Sequence, residues 1–466
     1  MRDPGNLTLA DAADAIRARD LSPVDLVNQQ LAVIEARNPL LNAYVTVMAE
    51  LAMHDAQRAE AEIAAGRYRG PLHGIPLSLK DLIDTAGTPT TASSPILRDF
   101  IPDRDATVTT RLKDAGAIII AKANMLEFAY GEVHPEFGPS RNPWNLDYGT
   151  SGSSSGSAAA VAAGLDFGSL GSDTGGSIRL PSAYCGIVGL KPTYGLVSRV
   201  GVVPLAWTLD HVGPMTRTVR DNAILLQAIA GHDAMDPASA SVPIPDYQQR
   251  IGQPTAGLTV GVVQAADDDE VQPAVRRETD YALRALEEAG YTTVPVAMPH
   301  PVQAARALLA LLYVEASTFH EPWLRSHREQ YSQNTLDRLD LGALLPGTVY
   351  VRAQRVRRLV SEAYRQLFAQ VDLLAMPIAP VSSYRLEDTP DDPVLETGDR
   401  FKALCRFSGP FNLTGLPAIG VPCGFDDAGL PVGLQIVARP FAEPVLYQAA
   451  AALEQQVGRF GKVVAV

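Results

Sequence analysis

Residues 149–181 read Gly149-Thr150-Ser151-Gly152-Ser153-Ser154-Ser155-Gly156-Ser157-Ala158-Ala159-Ala160-Val161-Ala162-Ala163-Gly164-Leu165-Asp166-Phe167-Gly168-Ser169-Leu170-Gly171-Ser172-Asp173-Thr174-Gly175-Gly176-Ser177-Ile178-Arg179-Leu180-Pro181. Two Gly/Ser-rich loops, 150–157 and 171–177, bracket one apolar run. Gly and Ser are the usual residues of a flexible linker. That reading fails here, because Ala158–Ala163 strongly favours helix and follows directly on Ser157, a good N-cap. Glycine lets the backbone take φ > 0 and come close to a ligand. Successive N–H groups in such a turn make a positive concavity for an anion, and a serine hydroxyl becomes nucleophilic once a base removes its proton. The sequence therefore nominates Ser177 as nucleophile and the amides of Thr174, Gly175, Gly176 and Ser177 as oxyanion donors.

The base is the missing piece. None of the eight histidines lies near these loops in sequence. Upstream, Gly74-Ile75-Pro76-Leu77-Ser78-Leu79-Lys80-Asp81 places a lysine after an apolar segment that reads as a buried strand. A lysine at its ordinary pKa of about 10.4 is almost wholly charged near pH 7. Burial favours the uncharged amine, which can act as a base. For a lone lysine, a side chain that snorkels to the surface is the simpler reading, and the combination decides against it.

That combination resembles the amidase signature family, which carries a buried lysine in G-I-P-x-x-x-K-D, then G-G-S-S-G-G-S-A-A-A, then G-S-D-T-G-G-S-I-R. The resemblance implies a Ser-cisSer-Lys triad, with Ser177 as nucleophile, Ser153 as the cis-serine relay and Lys80 as base. The separation of 24 residues between Ser153 and Ser177 is the family's. Ser151 and Ser155 replace glycines of the family pattern, while Gly152 is kept. Ser172, Asp173 and Arg179 are read as the network holding the serines, with Arg179 paired to Asp173. In Lys122-Ala123-Asn124-Met125-Leu126-Glu127-Phe128-Ala129-Tyr130-Gly131, which resembles the family's G-K-T-N-M-x-E-F-A segment, Tyr130 and Gly131 become substrate-contact candidates. Met125 and Phe128 read equally well as core.

One motif competes. Gly152-Ser153-Ser154-Ser155-Gly156 satisfies G-x-S-x-G, the nucleophile elbow, which needs a preceding strand. Residues 142–149 read as loop, which disfavours the elbow.

Hydrophobic residues make up 46% and charged ones 20% of the 466 residues, ordinary values for a globular chain. Length alone suggests two or three domains. The resemblance implies one large α/β/α domain over 1–466, with a mixed central sheet covered by helices. Residues 1–66 are expected to be a helical segment packing on the core, and the Pro- and Asp-rich residues 232–257 an exposed connection. A net charge of −13 argues against a nucleic-acid surface. Cys185, Cys405 and Cys423 are too few and too scattered for a disulfide framework or a zinc site. No apolar signal core opens the chain and no run of 18 apolar residues occurs in it, so the expectation is a cytoplasmic protein.

Helix starts are expected at Thr8 with Asp11, and at Ser22-Pro23. Strands are expected over 72–79, 117–121, 186–193, 198–204, 258–263, 291–296 and 371–377. Helices are expected over about 47–65, 107–115, 302–315 and 348–368, with 318–345 unassigned. His211, in Leu209-Asp210-His211-Val212-Gly213-Pro214-Met215, reads as structural. Asn412-Leu413-Thr414-Gly415-Leu416-Pro417 and Leu430-Pro431-Val432-Gly433-Leu434-Gln435 match the family's C-terminal blocks.

The resemblance implies an amidohydrolase needing no cofactor and no metal, which cleaves C–N bonds of non-peptide linear amides through an acyl-enzyme. Aryl esters and carbamates are further substrates it allows. The partners it implies are a small-molecule amide, ester or carbamate and a possible second copy of the chain, with no nucleic acid and no membrane. The alternative is the glutamine-hydrolysing A subunit of a tRNA-dependent amidotransferase. Such subunits usually carry an acidic residue seven positions before the Asn of N-L-x-G-L-P, where this chain has Cys405. A catalytically dead scaffold is disfavoured because all three triad positions are intact.

Overall fold

The computed structural model describes residues 6–255, 257–264, 271–386, 404–458 and 460–466. Its strands in chain order are β1 (Tyr44–Val47), β2 (Pro76–Lys80), β3 (Ile118–Ala123), β4 (Arg141–Asn142), β5 (Asn145–Gly149), β6 (Ser169–Asp173), β7 (Val188–Lys191), β8 (His211–Thr216), β9 (Thr259–Gln264), β10 (Thr292–Ala297), β11 (Leu373–Pro377), β12 (Ala418–Phe425) and β13 (Pro431–Ala438). Eleven of them form one mixed sheet, in the order β1-β3-β2-β6-β8-β7-β12-β13-β11-β9-β10. Helices pack against it, so the fold is α/β with a mixed central sheet.

Three central pairings position the site. β2 runs parallel to both β3 and β6, with Ser78 opposite Ser169 and Leu79 opposite Leu170. The C-terminal ends of β2 and β6 therefore lie side by side, bringing Lys80 next to Ser172 and Asp173. Ligands in open α/β sheets bind outside the carboxyl ends of strands. β8 lies antiparallel on the other edge of β6, with Asp173 opposite His211.

The alanine-rich helix spans Ser155–Ala162 and is buried along its whole length. Side chains no larger than valine let it sit inside the molecule. It begins three residues before the expected Ala158, so Ser157 lies within the helix. Ser154, at its N-cap, makes no capping bond; its oxygen accepts the Ser172 N–H at 3.3 Å and its hydroxyl donates to the Ser172 carbonyl at 3.2 Å. Gly156 donates its N–H to the Asn124 carbonyl at 2.9 Å. A Cβ here would collide with the Ala43 carbonyl oxygen and lie 2.6 Å from Asn124 N. Both obstacles are backbone and cannot rotate away. Gly156→Ala is therefore expected to destabilise the fold by about 1–3 kcal/mol or more, read as a lower midpoint in chemical denaturation.

The N-terminal region holds the helices Leu9–Ala18, Pro23–Leu41 and Ala49–Ala64, capped as Thr8 and Ser22 suggest. It is not helical throughout, since Tyr44–Val47 joins the sheet as an edge strand antiparallel to β3. No strand forms over 198–204, where Ser198 donates to Asp233 and Arg199 pairs with Asp236. Asp233 and Asp236 are buried by those contacts and Tyr247 is buried against Tyr447, so the 232–257 segment is fastened to the body at these points while many of its other described residues are exposed. The unassigned region 318–345 completes the helix Pro301–Ser326 and forms another, Gln333–Leu344. Ser332, at the head of the latter, donates its N–H and hydroxyl to Glu127.

Candidate active site

Lys80 ends β2 with its side chain fully buried. Its Nζ lies 2.6 Å from Ser153 Oγ and 2.9 Å from Ser172 Oγ. Burial pushes the amine down to about 7, against the opposing pull of the Asp173 and Asp210 carboxylates. Near neutral pH a large fraction is thus uncharged, and an uncharged amine can accept the Ser153 hydroxyl proton that an ammonium cannot.

Ser153 follows a cis peptide bond after Gly152. The loop is held from two sides: Leu126 N–H donates to the Ser153 carbonyl at 3.3 Å, and Ser154 N–H donates to the Ser177 carbonyl at 3.2 Å. Ser154, the serine an elbow would use, is fully buried with its hydroxyl on Ser172. The residues before it do form strands, contrary to the loop reading. However, β4 and β5 make a separate two-stranded ribbon and do not feed the central sheet. Ser177 opens the turn into the helix Arg179–Cys185. Among the described residues its hydroxyl has no hydrogen-bond partner. Lys80 and Ser153 are thus joined by a hydrogen bond, and the hydroxyls of Ser153 and Ser177 are not.

Asp173 organises the nucleophile turn. Its Oδ1 accepts Gly176 N–H at 2.8 Å, Arg179 Nη2 at 2.9 Å and Asn412 Nδ2 at 2.9 Å. Its Oδ2 accepts Ile178 N–H at 3.1 Å and Arg179 Nε at 3.0 Å. Burial alone would raise this carboxyl; the Arg179 guanidinium overrides it and holds the group well below the usual carboxylate range. Gly176 must then leave the expected oxyanion donors, because its N–H already points at Asp173. The amides of Thr174, Gly175 and Ser177 have no acceptor among the described residues and are open to one.

Sequence reading assigned nothing to the residues that hold Arg179. Its Nη1 donates to Gln435 Oε1 at 2.6 Å and to the Ser408 carbonyl at 3.0 Å, and its Nη2 to Asn412 Oδ1 at 2.7 Å. Asn412 and Gln435 are the polar letters of the two C-terminal blocks, and that was the available signal. Asp210 was passed over in the same way, although Thr174 Oγ1 donates to it at 2.6 Å. Its neighbour His211 bonds through Nδ1 to the Leu209 carbonyl at 2.7 Å. Burial and Lys191 push that imidazole well below its ordinary value. A cavity of about 440 Å³ opens beside Ser172, Thr174 and Asp210, walled by Leu82, Val203 and Trp207.

Tyr130 and Gly131 turn towards other elements. The Tyr130 ring lies 6.3 Å from that of Tyr313 and 5.6 Å from the Arg338 guanidinium carbon. A Cβ on Gly131 would come within 2.9 Å of the Thr335 backbone. The segment meets the serine loop through Leu126, whose side chain would be 2.6 Å from a Cβ on Gly152. Cys405 is buried against Leu180, Tyr184 and Ile378 and brings no acidic group. Among the described residues no His, Cys, Asp or Glu cluster could hold a metal ion, and no helix is long and apolar enough to cross a membrane.

The family model named Amidase matches residues 25–446. The A subunit of the glutamyl-tRNA(Gln) amidotransferase of Geobacter metallireducens is 40% identical over 476 residues, covering 97% of each chain. The solved structure of the corresponding subunit from Thermotoga maritima superposes with a TM-score of 0.82 at 33% identity, covering 98% of this chain and 96% of the other. A chain from a vestigial protein complex bearing on the origins of an s-triazine catabolic enzyme gives a TM-score of 0.91 at 31% identity, covering 99% and 100%.

These relatives overturn the expectation of an amidase for non-peptide linear amides, esters or carbamates, because the similarity to amidotransferase A subunits runs the length of the chain. The expectation of small-molecule partners alone, without nucleic acid, falls with it: the relatives' name makes them one subunit of an assembly tied to a tRNA. The net charge that suggested it describes the whole chain and says nothing of what an assembled partner binds. The lysine–serine geometry and the match over residues 25–446 place this chain in the amidase signature family of carbon–nitrogen hydrolases.

Proposed function

We propose that the chain is the glutamine-hydrolysing A subunit of a tRNA-dependent amidotransferase. The observation that carries this reading is the 40% identity to such a subunit over 97% of both chains. Cys405 weighs against it at one position, and similarity along the whole chain outweighs one position. Ser177 attacks the side-chain amide carbonyl of glutamine while Ser153 takes its proton and Lys80 accepts one from Ser153. The amides of Thr174, Gly175 and Ser177 receive the oxyanion, where one lost donor typically costs 10²–10³ in rate. Ser153 protonates the departing nitrogen, ammonia leaves, and water then cleaves the glutamyl ester on Ser177. Ser172 holds the amine of Lys80, while Asp173 and Arg179 hold the turn. One domain over residues 1–466 is supported by a sheet whose strands run from Tyr44 to Ala438. A cytoplasmic setting is supported by three free cysteines.

The test is ammonia release from glutamine by the chain assembled with its partner subunits, and its transfer to glutamate esterified to tRNA(Gln). We expect both activities in the parent and neither in Ser177→Ala. An assembled complex that leaves glutamine intact would overturn the reading. The rate should rise with pH along a limb centred near 7, because Lys80, pushed down to about 7, works only once deprotonated. A profile flat from about pH 5 to pH 9 would exclude the lysine base.

A further inference from the structure

Two strand ends bring an unassigned carboxylate to the nucleophile turn. Thr174 follows β6 and Asp210 precedes β8, and the Asp173–His211 register sets the two directly across from each other. Thr174 Oγ1 donates to Asp210 Oδ1 at 2.6 Å. On the other oxygen, Leu205 N–H and Ala206 N–H donate at 2.9 and 3.0 Å. Asp210 N–H in turn donates to the Ala206 carbonyl at 2.9 Å. The carboxylate is thus locked by three donors, and one of them belongs to the residue whose amide is open to the oxyanion.

We propose that Asp210 is a positioning residue that works through Thr174, fixing the junction between β6 and the turn that carries Ser177 while its charge faces Lys80. The inference rests on reading Ser177 as the nucleophile and Lys80 as its base. It does not depend on glutamine as the substrate.

The surrounding charges are accounted for. Arg199 faces Asp210 but is committed to Asp236, with Nη2 at 3.0 Å from Oδ1. Asp173, on β6, is neutralised by Arg179. Lys191, on β7, is pushed well down by burial, and His211 is likewise kept neutral. Arg357 and Glu315 approach from two other helices and bond to Thr208. That leaves Asp210 as a carboxylate without an ion-pair partner of its own among the described residues, facing Lys80. Burial pushes it up to about 6, so it is mostly charged near and above the midpoint of Lys80 at about 7 and loses that charge at the foot of the acid limb.

Two effects follow, and they separate a positioning role from a merely structural one. A carboxylate near the amine favours ammonium. Removing that charge should let Lys80 stay uncharged to lower pH, so the acid limb moves down. Freeing Thr174 should misplace an oxyanion donor and slow the plateau.

The test measures labelling of Ser177 by a fluorophosphonate in the full-length chain between about pH 5 and pH 9, a readout that needs no substrate. For Asp210→Asn we expect a limb lowered by about half a pH unit and a plateau reduced about tenfold. Thr174→Val should also slow the plateau, and Thr174→Ser should restore it. An Asp210→Asn limb that stays where the parent's lies overturns the proposal, whatever the plateau does. Should Asp210→Asn not fold, the Thr174 pair decides: a Thr174→Val plateau equal to the parent's overturns the proposal, and a loss rescued by serine supports it. A parent that labels normally but releases no ammonia from glutamine would sink the proposed substrate and leave this inference standing.

Discussion

Lys80→Met should slow acylation of Ser177 by about 10²–10⁴-fold at pH 8 and abolish the acid limb of the profile. Methionine keeps an unbranched, apolar stem in a fully buried site, so the space stays filled while the basic nitrogen is lost. Stability should move the other way. The folded protein holds this amine down at about 7, whereas an unfolded chain leaves it near 10.4. Between those values the unfolded state binds more protons, so the parent gains stability as pH rises from about 7 to about 10. Below pH 7 both states are protonated and the penalty of burying an ammonium is present in full. The methionine variant carries no such penalty and should be the more stable protein at neutral pH. Mass spectrometry of fluorophosphonate-treated protein reads the rate, and denaturant midpoints at pH 6 and pH 9 read the stability. A variant that labels within threefold of the parent would remove Lys80 from the chemistry.

The site was legible where chemistry is written in residue type and spacing. A lysine ending an apolar strand and two serines 24 residues apart identify themselves, and the structure brings Lys80 and Ser153 to 2.6 Å. What stayed hidden depends on which partner a group chooses. Four amides in a glycine turn look alike in sequence, yet Gly176 is drawn onto Asp173 and its neighbours are not. Ser157 reads as an N-cap, yet the helix starts earlier, at Ser155, and the residue at its N-cap, Ser154, bonds to Ser172 on β6. Gln435 lies 256 positions from the arginine it holds, a distance no local pattern spans. Tyr44–Val47 is a four-residue edge strand between two long helices, and its pairing with β3 is tertiary. The choice between a stand-alone amidase and an amidotransferase component turned on a single cysteine in the sequence reading. Position 405 reports on one buried side chain, while similarity along the whole chain reflects every surface at once.

Arg179→Met should destabilise the fold by about 3–5 kcal/mol, because it leaves Asp173 as a buried carboxylate without its cation. Both side chains are fully buried, and the pair is tied to Asn412, Gln435 and Ser408 from the C-terminal third of the chain. The loss should therefore reach beyond the turn. Asp173→Asn strands the guanidinium instead and should lose a comparable amount, whereas the double variant should recover part of the loss because neither charge remains unpaired. The pH dependence has a definite sign. Arg179 holds the folded Asp173 carboxyl well below its unfolded value of about 3.9. The stabilisation is thus fully present above about pH 5 and is lost as pH falls through the folded value. Asn at 173 should flatten that acid limb of stability. Urea midpoints of the four proteins at pH 4 and pH 7, with Ser177 labelling on each, give the readout. Single variants that lose less than about 1 kcal/mol would mean that the turn is held by its backbone hydrogen bonds alone. Labelling should fall with the midpoints, since the same carboxylate that pairs with Arg179 accepts the Gly176 and Ile178 amides on either side of the nucleophile.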